Sequence, residues 1–543
     1  MSDESFDFVV VGSGSAGSVI AGRLAEQTGG SIAVIEAGKK RWPKISKLPI
    51  ANARAIGRPA HDWCYVSQPD PTRLDRVELW PRGKGLGGSS LINGMIYVRG
   101  NRADYDAWAA LGNPGWDHAG VLPSFMRMET SEVQGQGRGQ FGPQPVSMPR
   151  YLHPLTDKVI EAAGRNGLPF NRDINGADQT GIGYNQATQR NGRRASAYDS
   201  FLEQHVRSGR VTLFDDAQVK RILVENNSAV GVAVAKDGTE RIVRGGKIIL
   251  AAGAVNTPHL LMLSGIGPAS EIEAHGIPLV YDAPEVGKNM LEHVGLWMPV
   301  EVDMPTLNQL QNPLRFTAAM VKWLFGRGPA TNSTGQAIGF SNEKDALGRP
   351  RLQFHFAAFG LSTEKTGPKV PNRRLVSLMP SVNHPESKGE LTLASADPFD
   401  PPRIAPRLLE ARSDLELLGK GVRFCEQLLQ TDPLKRHVKG LVVEPPAEGP
   451  AFENYLREYS LPLYHIVGTC RMGSDSASVV DPRLQVRGVG NLMIADASIM
   501  PAHVSGNTQA ASMMIGEKAA EFILSNDDVA RAPAAGFQVK SHG

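Results

Sequence analysis

Cysteine is scarce in this chain. Cys64, Cys425 and Cys470 are the only three in 543 residues, and no two stand at CxxC spacing. That excludes a disulfide framework and a cysteine-built zinc site, and it suits a reducing compartment, so a cytoplasmic protein without a metal is expected. Long apolar runs are missing as well. No stretch reaches the ~18 residues of a membrane-spanning helix. The opening residues, MSDESFDFVV, contain no basic segment of the kind that begins a signal peptide. Net charge is nearly absent too. Lys and Arg number 58 against 55 Asp and Glu, with no basic block, which gives no reason to expect a nucleic-acid partner. Gly (58) and Pro (38) are plentiful in a chain that is 41% hydrophobic. Such a length suggests a loop-rich globular protein of two or more lobes.

Residues 6–38 read FDFVVVGSGSAGSVIAGRLAEQTGGSIAVIEAG. An apolar run enters Gly12-x-Gly14-x-x-Gly17, then Val19, Ile20 and Leu24 recur at near-helical spacing. A second apolar run, 32–35, ends in Glu36. Strand, tight turn, helix, strand and acid form a dinucleotide-binding fingerprint in its full context. Gly12 permits the turn, Gly14 lets backbone approach a pyrophosphate, and Gly17 lets helix and strand pack closely. The helix N-terminus offers free N–H groups to phosphate. Glu36 is placed to accept hydrogen bonds from ribose hydroxyls. Ser13, Ser15 and Ala16 in the turn, and Ala37 and Gly38 after the acid, are expected beside the nucleotide. The bland alternative is a glycine-rich helix cap.

Three separated regions share this character: the opening unit, residues 211–267 and residues 491–524. Strand-like runs in the second fall at 211–214, 219–224, 230–234 and 247–251, with Val219 expected at the cofactor. Between them, 130–190 is rich in Gly, Gln, Asn and Pro. Residues 300–460 mix alternating runs (Leu352-x-Phe354-x-Phe356; ELTLA at 390–394) with a helical stretch near 414–429. The reading is an α/β protein: an interrupted Rossmann-like domain carrying a second domain built on an antiparallel sheet with helices. The expected division is 1–155, 191–300 and 460–525 for the nucleotide domain, 156–190 and 301–459 for the other, and 526–543 as a loose tail.

Residues 81–100 read PRGKGLGGSSLINGMIYVRG. Glycines and hydroxyls interleave with apolar residues, which favours a buried loop against a ligand over a plain surface loop. Arg82, Gly87, Gly88, Ser89, Asn93, Gly94, Met95 and Ile96 are its candidate cofactor contacts. Residues 253–268 read GAVNTPHLLMLSGIGP. Ala252 and Gly253 follow a buried strand and are expected at the nucleotide. Thr257 suits an N-cap with Pro258 first in the helix, and Gly265 suits its stop.

Gly83-x-x-Leu86-Gly87-Gly88-Ser89-Ser90-x-x-Asn93 and Gly253-x-x-x-Thr257-Pro258-x-Leu260-Leu261-x-x-Ser264-Gly265-Ile266-Gly267 resemble the two signatures of the glucose–methanol–choline (GMC) oxidoreductases. The similarity runs from Phe6 to about Ile523 and lies nearest the choline-dehydrogenase-like branch. The resemblance implies FAD, two lobes and alcohol oxidation, with a small-molecule alcohol and either oxygen or a quinone-type acceptor as partners. By itself His465, in the apolar run YHIVGTCRMG, reads as a core histidine. The resemblance places it at the general-base position and Asn507 at the second active-site position, where a plain N-cap is the bland alternative. Asp496, Ala497 and Thr508 are expected at the flavin, Gln336, Phe356 and Tyr464 in the substrate pocket, and His503 in a structural role. Some relatives bind FAD covalently through a histidine; the matching residue here is Ile92, so FAD is expected to be held without a bond. Gly295 and Gln336 stand where choline-specific relatives carry carboxylates, which argues for a neutral primary alcohol over choline. A flavin-dependent lyase or photodecarboxylase on the same scaffold is the alternative.

Overall fold

A computed structural model describes residues 4–40, 44–361 and 370–525. The expected tail at 526–543 lies outside these residues.

The chain opens with β1 (Glu4–Val11), α1 (Ser15–Gln27) and β2 (Ile32–Ile35). A short strand, β3 (Gly181–Tyr184), belongs to the second sheet. The first sheet resumes with β4 (Thr212–Phe214), β5 (Gln218–Glu225), β6 (Ser228–Lys236) and β7 (Thr239–Leu250), and α2 (Gly253–Leu263) follows. The second lobe supplies β8 (Met298–Val302), α3 (Pro313–Leu324), β9 (Ala337–Phe340), β10 (Leu352–Ala357) and β11 (Leu375–Val382). After α4 (Arg412–Leu429) and β12 (Val438–Leu441), the chain returns to the first sheet with β13 (Leu492–Ile494) and ends on α5 (Gln509–Leu524).

In the first sheet the order is β4-β2-β1-β7-β6-β5, with β13 paired to β7. β4, β2, β1, β7 and β13 run parallel; β6 and β5 are antiparallel additions. The parallel centre is covered on both faces, so Val9, Val10, Ala33, Val34, Ile248, Ile249 and Leu250 are all fully buried. α1 packs against α5, and glycine makes this possible: a Cβ on Gly516 would stand 2.7 Å from the Ala16 carbonyl oxygen. The fingerprint is thus closed by a helix nearly 500 residues away in sequence.

The second sheet is antiparallel, in the order β12-β8-β11-β10-β9-β3, with short strands at Val294–Leu296 and Ser460–Pro462 attached. The two-lobed α/β reading therefore holds, with changes at two of the expected borders: Ser460–Pro462, expected in the nucleotide domain, pairs within the second sheet. The proposed domain boundary at 300/301 falls inside β8, and Val294–Leu296 also pairs within the second sheet. Along β10 the side chains alternate. Leu352, Phe354 and Phe356 join the core with α4, Phe354 lying 4.8 Å from Phe424 between ring centres. Gln353 and His355 take the other face.

Candidate active site

A cavity of about 2010 Å³ lies where the parallel strands end and the antiparallel sheet begins. Its floor is built from glycines. Gly12 has φ +97°, and a Cβ there would meet the Ala251 carbonyl oxygen at 2.5 Å. Gly88, at φ +51°, presses on the fingerprint turn so closely that its Cβ would stand 2.8 Å from Gly14 Cα. The two glycine-rich turns form one cradle of exposed backbone, suited to a pyrophosphate.

Two buried carboxylates brace the cradle. Glu36 accepts from Ser13 N (3.1 Å), Ser13 Oγ (2.7 Å), Gly38 N (2.8 Å) and Gly85 N (3.1 Å). Burial pushes its carboxyl above the usual range, against the pull of those donors. Asp496 accepts from Gly253 N (2.9 Å), Thr257 Oγ1 (2.6 Å) and Ser498 N (2.8 Å), and burial raises it likewise. Thr257 is therefore not an N-cap. α2 starts four residues earlier, at Gly253, with Pro258 inside it, because Asp496 engages the first helical N–H from across the fold.

The 81–100 loop is pinned by Arg194, whose guanidinium donates to Ser90 O, Asn93 Oδ1 and Asn93 O. Burial brings Arg194 down to about 9. Asn93 also donates to Gln509 Oε1 at 2.6 Å, joining the loop to α5. No side chain caps α5. Asn507 precedes its N-cap residue, Thr508, so the capping alternative for Asn507 is not what the backbone adopts. Asn507, Thr508 and Gln509 all line the cavity, leaving helix N-terminal amides for a ligand.

His465 and Asn507 meet at the cavity wall, Asn507 Nδ2 standing 3.0 Å from His465 Nε2. Behind His465 is a chain of imidazoles. His293 Nε2 lies 2.7 Å from the Asn383 carbonyl oxygen, which can only accept, so this nitrogen donates. A neutral ring has one N–H, and His293 Nδ1 therefore accepts from His465 Nδ1, 3.0 Å away. His465 Nε2 is left with its lone pair. The amide of Asn507 on that side agrees, since it can only donate. His503 stacks on His293 at 3.5 Å and lies with Nε2 3.0 Å from the His465 carbonyl oxygen. Glu292 accepts from His465 N at 2.7 Å and is raised by burial to about 8. Burial, then His503, His355 and Arg82, push His465 well below the ordinary histidine range.

Most predicted contact residues line the cavity: Gly12, Gly14, Ser15, Ala16, Glu36, Ala37, Arg82, Gly88, Ser89, Asn93 to Ile96, Val219, Ala252, Gly253, Asp496, Ala497, Asn507 and Thr508. Ser13, Gly17, Gly38 and Gly87 sit behind it as supports. Tyr464 lines the cavity at its rim, 39% exposed and held at φ +65°. Gln336 and Phe356 do not line it. Gln336 is buried, accepting from His153 N and Thr156 Oγ1 and donating to Asn332 Oδ1 and Tyr151 O. Phe356 faces the α4 core. Gly295 lies within a strand, with Pro380 O 3.0 Å and Leu463 3.2 Å from where a Cβ would be. The two positions used to argue against a cationic substrate are therefore outside the cavity. His355, missed in the sequence, is inside it, both ring nitrogens buried without a partner and the ring pushed down to about 4 by burial. The signal was there, in the polar residues Gln353 and His355 out of phase with Leu352, Phe354 and Phe356. Trp297, Phe359 and Met379 join it.

Profiles described as GMC oxidoreductase match residues 6–295 and 385–516. An alcohol dehydrogenase [acceptor] of Pseudomonas putida is 35% identical, over 97% of both chains. An oxygen-dependent choline dehydrogenase of Brucella ovis is also 35% identical, over 97% of both. Among solved structures, pyridoxine 4-oxidase from Mesorbium loti superposes with a TM-score of 0.86 at 28% identity, covering 95% of this chain and 98% of the other.

Proposed function

Because this chain belongs to the GMC oxidoreductase family, FAD-dependent enzymes acting on alcohols, we propose that it oxidises a neutral primary alcohol to the aldehyde, with His465 as general base. The observation that carries this reading is the hydrogen-bond chain from Asn383 through His293, which leaves a lone pair on His465 Nε2 at the cavity wall. That nitrogen takes the hydroxyl proton, and Asn507 Nδ2 orients the substrate oxygen. FAD supplies the hydride acceptor. The Gly12–Gly17 turn, Gly88 and the N-terminus of α5 would hold it, with Glu36 and Asp496 fixing the loops around it. Ile92 lines the cavity and has no nucleophile, which supports attachment without a covalent bond.

Neutrality of the substrate rests on new ground. Among the described residues the charges acting on His465 are those of His503, His355 and Arg82, all bases. Glu292, which accepts from His465 N, is raised by burial to about 8 and so is mostly protonated at neutral pH. A quaternary ammonium would therefore find no counter-charge beside His465. Choline, the substrate in the name of one relative, is the rival. The electron acceptor is oxygen or a quinone-type compound, and admitting air to the reduced enzyme distinguishes the two.

An anaerobic panel of alcohols, read at the flavin absorbance, tests the reading. Neutral primary alcohols should bleach the flavin and choline should not. In His465→Ala the flavin should stay bound while the rate of reduction falls roughly 10²–10⁴-fold. Wild-type-like reduction in that variant removes His465 from the mechanism. A flavin left oxidised by every alcohol favours the lyase alternative.

A further inference from the structure

One helix at the cavity has, among the described residues, no core for its outer face. Ala319, Met320 and Trp323 on the inner side of α3 pack with Leu48, Ala51 and Ala330. Phe316, with Leu307 and Leu310 from the preceding turn, lines the cavity. The outer side is apolar as well. Leu314 is 82% exposed, Val321 52%, and Phe325, just past the helix end, 78%. Leu314, Ala318, Val321 and Phe325 recur at i, i+4, i+7 and i+11, which is a single stripe. Apolar side chains thus occupy both the inner and the outer side of the helix, interrupted by Arg315, Thr317 and Lys322. Beside the stripe run the exposed Arg315 and Lys322, seven residues apart, and Arg327 follows. Residues 304–342 contain these three cations and neither Asp nor Glu.

We propose that α3 seats the enzyme on an anionic lipid bilayer. The stripe enters the headgroup–acyl boundary and the three cations meet lipid phosphates, with the helix lying in the interface plane. Twelve residues are too few to span, and among the described residues no helix is long and apolar enough to do so. Charge favours lipid over a second copy of this chain. A two-fold contact through the stripe would set one cation row against its own image, whereas an anionic surface neutralises it. Since Phe316, Leu307 and Leu310 border the cavity on the inner side, the seat also puts the cavity next to the membrane. An amphiphilic alcohol, or a lipid-dissolved acceptor, could then pass from the bilayer along apolar side chains.

The test is sedimentation of the full-length flavoprotein with vesicles of phosphatidylcholine, with and without phosphatidylglycerol. The wild type should bind only the anionic vesicles, and salt should release it. Each cation near such a surface is worth roughly fivefold in affinity. The triple variant R315Q/K322Q/R327Q should therefore lose on the order of a hundredfold. L314Q/F325Q should lose at least about tenfold, as apolar burial is removed. Both variants should keep the wild-type melting temperature and turnover of a short, water-soluble alcohol, so that docking and chemistry are read separately. Absence of wild-type binding to anionic vesicles overturns the proposal, as does wild-type-like binding by L314Q/F325Q. So does a solution dimer that L314Q/F325Q splits into monomers, which would make the stripe a contact between copies.

Discussion

Glu36 meets four donors before any ribose reaches it. From the sequence, its position after the second strand marks it as a ribose partner. What the sequence cannot convey is that Gly85, nearly fifty residues on, also donates to it. Glu36→Ala leaves Ser13, Gly38 and Gly85 amides buried without an acceptor, at about 1–3 kcal/mol each. The variant should therefore lose roughly 3 kcal/mol or more of stability even in saturating FAD, as well as FAD affinity. A denaturation midpoint restored to wild type by excess FAD would limit Glu36 to ligand binding. His465 gives the second residue-scale expectation. The active form is the unprotonated base, and burial depresses its ionisation. Flavin reduction should rise with pH through an ionisation well below the usual 6.5 and be flat by neutrality. A rising limb centred above neutral pH would contradict this. Phe356 and His355 mark what was legible here. The alternation in the sequence declares two faces, but only the packing of α4 decides which of them is core.

Elements were legible where periodicity is local and illegible where a distant partner sets the boundary. The turn between β1 and α1 is read directly from Gly12-x-Gly14-x-x-Gly17. The start of α2 is not, because Asp496 caps it from the far end of the chain. The meeting of the two glycine-rich turns is likewise a tertiary fact, though each turn is visible alone. Gly88→Ala tests that meeting. Its Cβ would stand 2.8 Å from Gly14 Cα, which is backbone and cannot swing aside, and φ is positive at that position. The variant should purify with little flavin, judged by the ratio of flavin to protein absorbance. A wild-type ratio would mean that the turns can part without loss of the site.

Over the whole molecule, buried histidines set the response to acid. His259, His355 and His503 are each pushed down to about 4, and His293 and His465 are also depressed. The unfolded chain takes up protons below about pH 6.5 that the native state refuses, so stability falls as pH drops from there toward 4. Glu36, Glu292 and Asp496 are raised by burial and act in the opposite sense. His118 and His153 are depressed by burial as well, and Asp414 is raised, so seven against four leaves about three groups, or at most about 4 kcal/mol per pH unit. Denaturation midpoints should fall between neutral pH and about pH 5; a rise would show that the carboxylates dominate. A further whole-molecule expectation concerns the cofactor. Acid precipitation should release all the FAD into the supernatant, and a yellow pellet would reveal a covalent bond away from Ile92.

The first sheet and its helices draw on residues 4–35, 212–263 and 492–524, with the second lobe threaded between them. This has a consequence for biosynthesis. A ribosome delivers β1, α1 and β2 first, but α5, which covers α1 and supplies Thr508 and Gln509, comes last. An emerging chain therefore exposes the apolar faces of its opening strands through nearly the whole of translation. FAD cannot find its complete site until α5 has emerged. Flavin loading is thereby coupled to the emergence of α5, and a product truncated before residue 509 should leave the ribosome colourless and in need of a chaperone.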